Sequence, residues 1–145
     1  MEYLFNSNQS ETKAFLGKGW AFPPGFNNKT GSVDMVQYEE DIWQSLQILF
    51  STSFRERVMQ PEYGCNPEDY VFNTMNVSFL SFLEDLIKKN IAKNEPRIKL
   101  LDLVVAPAMP EGTMEIRLVY LVRSTNTRFN RVYPFYKQEG TNVEL

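Results

Sequence analysis

The period of the hydrophobic pattern changes at Glu95-Pro96-Arg97, and that change limits what this chain can fold into. Before it, Val77, Leu80, Leu83, Leu86, Ile87 and Ile91 recur at helical spacing, with Glu84, Lys88, Lys89 and Lys93 on the other side. After it come segments rich in branched and aromatic residues, which read as strands. Pro96 fixes its own φ, has no N–H and drives Glu95 away from helical backbone, so a helix ends here and a strand begins. Two opposite charges are thereby presented together from extended backbone at a junction.

The spacing predicts a helix over about 77–93 and strands over 98–106, 114–122 and 129–136, with Pro110-Glu111-Gly112 and Ser124-Thr125-Asn126 as turns. In the middle strand Met114, Ile116, Leu118, Tyr120 and Val122 form one buried face, and Glu115, Arg117, Val119, Leu121 and Arg123 a mixed one. Pro134 assigns the last strand to an edge, since proline cannot donate to a ladder on both sides. An earlier helix over 39–51 buries Ile42, Trp43, Leu46, Ile48, Leu49 and Phe50, and the macrodipole accounts for Glu39-Glu40-Asp41 in its first turn. Phe79 and Phe82 widen the stripe of the later helix, which predicts cover on more than one side, and Glu84 and Lys88 are spaced for an outward i,i+4 pair.

The fold class is therefore α+β: two main helices packed on a small antiparallel sheet, a C-terminal three-stranded meander, with an N-terminal extended segment. Residues 1–16 are expected to be a flexible leader, 17–138 a single domain and 139–145 a tail. At 145 residues the chain is the size of one ordinary domain with one core. Pro23-Pro24-Gly25 forces an extended turn that either pins Trp20 and Phe22 onto that core or offers them to a partner. Residues 55–70 read as an ordered loop with a helical turn starting at Pro67-Glu68-Asp69, in which Glu56 and Arg57 pair inside the fold or across an interface.

With 15 Lys and Arg against 18 Asp and Glu, the net charge of −3 gives no basic field for phosphates, so nucleic acid is excluded as a partner. The absence of His and the single Cys65 remove the usual zinc sites and an internal disulfide. No metal and no cofactor is implied. Met1 to Lys13 lacks a signal-peptide pattern, and no stretch is apolar enough to span a bilayer, so a cytoplasmic location without direct membrane insertion is expected.

Catalysis finds little support. A glycosidase requires one carboxyl with a raised pKa facing a second carboxylate, yet the candidate acids lie at helix starts, on outer helical faces or, for Glu95, beside an arginine that would lower its pKa. Without His there is no base for a Ser or Cys nucleophile, and Gly17-Lys18-Gly19 lacks the ending of a phosphate loop. No catalytic residue is assigned.

The order of motifs resembles a known family. Gly19-Trp20-Ala21-Phe22-Pro23-Pro24 is followed by Glu40-Asp41-Ile42, Ile48-Leu49-Phe50-Ser51-Thr52, Glu56-Arg57-Val58-Met59, Pro61-Glu62-Tyr63-Gly64-Cys65, Glu95-Pro96-Arg97-Ile98 and Asn130-Arg131-Val132-Tyr133-Pro134-Phe135-Tyr136. From about Gly17 to Tyr136 this looks like the contractile-tail baseplate wedge family, whose type VI secretion member is TssE and which carries the label "lysozyme-like". Arg55 stands where family members usually have Gly before the Glu-Arg pair.

The resemblance implies a structural baseplate subunit that docks on wedge core-bundle proteins, TssF- and TssG-like, through Glu95, Pro96 and Arg97. It also implies an edge that pairs with strands of sheath subunits and initiates sheath assembly, carried by Phe129, Arg131, Val132, Tyr133, Phe135 and Tyr136. Alternatives are a peptidoglycan-cleaving glycosidase and a regulatory adaptor of the same fold. From the residues alone, Glu95 and Arg97 could equally form an internal salt bridge closing the turn. If they serve a partner instead, Arg97→Ala should leave folding largely intact.

Overall fold

A computed structural model describes residues 16–66, 76–109 and 113–136. Four short strands open it: β1 (Lys18–Trp20), β2 (Phe26–Asn27), β3 (Ser32–Val33) and β4 (Met35–Gln37). β1 pairs antiparallel with β4, and β2 with β3, as two small ribbons. Helix α1 (Tyr38–Ser51) and helix α2 (Val77–Asn94) follow. Strands β5 (Ile98–Ala108), β6 (Thr113–Val122) and β7 (Thr127–Tyr136) form an antiparallel sheet in the order β5-β6-β7. The α+β reading and the three-stranded meander stand.

The helices cover one face of this sheet. Met114, Ile116, Leu118, Tyr120 and Val122 are all buried, and they meet Leu103 and Val105 from β5 and Phe135 from β7. From α1 come Ile42, Leu46, Leu49 and Phe50, from α2 Leu83, Ile87 and Ile91, and Leu16 joins them from the N-terminal side. Phe50 packs on Tyr133 with ring centroids 5.1 Å apart, and Arg131 lies 5.4 Å from the Trp43 ring, so α1 runs over the inner face of β7. Helix α2 is started by Asn76, whose side chain accepts the Phe79 N–H, one of the donors a helix N-terminus leaves unpaired.

Three expectations are corrected. Val77 and Phe82 are exposed, because α2 rests on the sheet by one stripe only. Glu84 turns inward, where it accepts the Val105 N–H at 3.0 Å. Trp20 and Phe22 are not pinned to the core: Trp20 is 64% exposed and Phe26, at the far end of the same turn, 67%. The ribbons lift them outward. The expected turns at 110–112 and 67–69 and most of the leader and tail lie outside the described residues.

Candidate docking site

Helix α2 ends at Glu95, whose backbone leaves the helical region (φ −129°, ψ 75°) while its N–H still donates to Ile91. Pro96, the next residue, is exposed and permits no further turn. Arg97 then folds back. Its Nε and Nη2 donate to the two carboxylate oxygens of Glu95 at 2.6 and 2.7 Å, and its Nη1 donates to Asp41 Oδ2 at 2.6 Å and to the Leu16 carbonyl at 2.8 Å. One guanidinium thus ties together the end of α2, the first turn of α1 and the backbone at Leu16.

Burial makes this network firm. The Glu95 side chain is 3% exposed, that of Arg97 29%. Hydrogen bonding to Glu95 above all, with Asp41 adding to it against the cost of burial, pushes the Arg97 guanidinium pKa upward. Removing one partner of a buried pair costs about 3–5 kcal/mol, because the other charge is stranded. Arg97→Ala should therefore destabilise the fold, contrary to the expectation from sequence. Of the five N–H donors of Arg97 four are used among the described residues, and the second N–H of Nη2 has no acceptor among them.

Close backbone approach is built in around the network. A Cβ on Gly19 would lie 2.6 Å from Asp41 Oδ1, so only glycine lets β1 pass the carboxylate. Tyr38, the first residue of α1, has φ 63°, and its N–H reaches the Gly17 carbonyl at 3.3 Å. Asp41 was invisible as a member of this site, since an acid in the first helical turn already has a local explanation.

The second expected site is the edge of β7. Leu103 and Val105 give their N–H groups to Asp102 and Glu84, so those residues face away from β6. Strand alternation carried through the register then turns the N–H and C=O groups of Arg128, Asn130 and Val132 outward from β7, with Pro134 in the same phase. Proline costs nothing in that position. Phe129, Arg131, Tyr133 and Phe135 point instead to the covered face: Phe129 stacks on Tyr120 at 5.7 Å, and Phe135 is buried. Of the six predicted edge residues, Val132 combines an exposed side chain with outward backbone, and Tyr136 ends the strand opposite Thr113.

Three further carboxylates are committed to fold contacts. Glu56 caps the Ser53 N–H, Glu115 pairs with Arg117, and the Lys93 ammonium holds the Glu62 carboxyl below the usual range, the opposite of a general acid. Burial pushes the Cys65 thiol up to about 12, so it is an inert core residue. Among the described residues no helix is long and apolar enough to cross a membrane.

The fold is shared with known proteins. The family of baseplate wedge protein gp25 matches residues 36–127, which contain α1, α2, Glu95-Pro96-Arg97 and most of the sheet. A crystal structure from Geobacter sulfurreducens, named for a suspected tail lysozyme, is 46% identical over 70% of this chain and 93% of its own, with a TM-score of 0.63. A chain of the anti-feeding prophage baseplate, determined by cryo-electron microscopy, is 27% identical over 90% of this chain and 94% of its own, with a TM-score of 0.63. No curated protein is significantly similar.

Proposed function

This chain belongs to the family of baseplate wedge protein gp25 of contractile injection systems, and from that premise we propose that it is a structural, non-catalytic subunit joining the wedge to the first ring of sheath. The junction around Arg97 docks on the core bundle formed by TssF- and TssG-like wedge proteins. Pro96 and the unused N–H of Arg97 make the contact, while Glu95 and Asp41 hold the guanidinium in place. The edge of β7 accepts a sheath strand through the outward groups of Arg128, Asn130 and Val132. A type VI secretion baseplate in the cytoplasm is the setting we favour.

The observation that supports this most is the open β7 edge on a chain whose family match includes Asp41, Glu95 and Arg97. The test is affinity purification of the tagged chain from its native cells with mass spectrometry, comparing wild type with Arg97→Lys. Lysine keeps the charge but cannot bind Glu95, Asp41 and Leu16 together or offer a planar donor. Wild type should recover wedge and sheath proteins, and the variant should lose wedge proteins about tenfold or more, as for an interface arginine. Recovery of neither by wild type would sink the proposal. A single regulatory partner would favour an adaptor, and peptidoglycan cleavage abolished by one carboxylate substitution would favour a glycosidase.

A further inference from the structure

Residues 53–63 form an internally hydrogen-bonded loop that displays apolar side chains instead of burying them. Its backbone bonds to itself: Arg55 N–H to Pro61 O at 2.9 Å, Glu56 N–H to Ser53 O at 3.1 Å, Gln60 N–H to Arg57 O at 3.3 Å and Tyr63 N–H to Gln60 O at 3.1 Å. Where the loop closes, a Cβ on Gly64 (φ +112°) would lie 2.3 Å from the Thr52 carbonyl oxygen, so the two strands of chain cross in contact. At the tip, Val58 is 93% and Met59 91% exposed. Exposure on a flexible segment would mean little, but here the apolar tip is preorganised, which lowers the entropy lost on docking.

The charges on the loop are unbalanced in their use. Glu56 is turned back onto the Ser53 N–H, and Glu62 is bridged to Lys93. Arg55 and Arg57 have no carboxylate within salt-bridge reach among the described residues; they lie over the rings of Phe54 (5.5 Å) and Tyr63 (3.9 Å). A guanidinium stacked on a ring keeps its N–H edge free for a bidentate carboxylate. Beside the tip, a cleft of about 280 Å³ opens between the loop and the end of α2; Met59, Pro61, Tyr63 and Asn94 line it together with the paired Glu62 and Lys93. Asn94 directly precedes Glu95, so the cleft adjoins the Arg97 junction.

We propose that this loop and cleft are a second docking element, which takes an acidic amphipathic segment of a protein partner. An apolar side chain of that segment enters the cleft beside Met59, and carboxylates on either side of it bind Arg55 and Arg57. The partner's chemistry follows from charge complementarity with Arg55 and Arg57, which flank the apolar tip and have no carboxylate partner among the described residues. Only the partner's identity as a wedge protein rests on the baseplate reading.

The test places a photo-crosslinking residue in the full chain, Met59→p-benzoylphenylalanine, in native cells. The expected crosslink maps to a wedge-protein peptide with Asp or Glu within one helical turn of the attachment point. Adding Arg55→Glu and Arg57→Glu should lower its yield about tenfold or more. Because Arg57 also packs on Tyr63, Val58→Ser serves as a variant that leaves the fold untouched and should lower the yield as well. Wedge proteins that co-purify without any Met59 crosslink, or a yield indifferent to these changes, would overturn the inference and leave the baseplate reading standing. Crosslinks to lipid or nucleic acid would also overturn it. An acidic crosslinked segment in some other protein, with no wedge proteins recovered, would uphold the docking chemistry while sinking the baseplate reading.

Discussion

The two edges of the three-stranded sheet are treated in opposite ways. Along β5, the Ile98 carbonyl accepts from Arg123 Nε, Asp102 takes the Leu103 N–H, Glu84 reaches across from α2 to the Val105 N–H, and Pro107 has no N–H to give. A register shift between Leu100 and Asp102 bends the strand further from an ideal template. Along β7, Arg128, Asn130 and Val132 present outward backbone groups with no side chain over them among the described residues, and only Pro134 interrupts the row. Exposed edges invite pairing, and proteins usually blunt them. One edge is thus closed by four separate devices while its counterpart is open among the described residues, a contrast that fits the strand addition proposed for β7.

The largest effect should come from testing the phase of β7 itself. Arg131→Pro removes an N–H that faces β6 and should cost about 3 kcal/mol, whereas Asn130→Pro removes an outward one and should cost about 1 kcal/mol or less. Denaturant melts of both, with Arg131→Ala to account for the lost contact to Trp43, read the difference. Equal losses would mean that the outward phase is misassigned. If it is right, Asn130→Pro also becomes the cleanest block to strand addition.

A middle-sized effect is expected on the closed edge. Glu84→Ala leaves the Val105 N–H without its acceptor and should cost about 1–2 kcal/mol, with faster amide exchange at Val105, while Glu84→Gln, which keeps an acceptor oxygen, should recover most of it. Unchanged exchange in the alanine variant would remove Glu84 from the list of blocking devices.

Glu84 also marks how far the sequence could be read. Both helices and all three long strands were legible, because period 3.6 and period 2 are local signals, and Pro134 correctly announced an edge. Glu84 was misread as an outward helical residue because its role depends on where β5 lies, and no local pattern encodes that. The same holds for Asp41, which meets Arg97 across 56 positions of sequence. For Trp20 and Phe22 the sequence left core pinning and partner surface both open, and the first fails because ribbons of two or three residues have no second layer to bury them against. At Arg55 the departure from glycine proved compatible with the turn: its φ of 68° is the left-handed conformation that glycine favours.

The smallest change in stability should carry the sharpest test of the comparison. Asp102→Ala with Pro107→Val frees the Leu103 N–H and restores one at position 107, two of the blocking devices at once. Asp102 is exposed and its bond is local, so the monomer should lose about 0.5 kcal/mol at most. Its edge, however, would now offer two outward donors, one on each side of the Val105 N–H that Glu84 still holds, on a strand rich in Leu and Val. The double variant should therefore self-associate through β5 at concentrations where wild type does not, seen as earlier elution and doubled mass by light scattering. Restoring Pro107 alone should reverse much of the association, because one proline is enough to interrupt a short ladder. If the double variant elutes with wild type, the side chains along β5 are not what keeps that edge closed, and the bend of the strand together with the bulk of α2 must suffice.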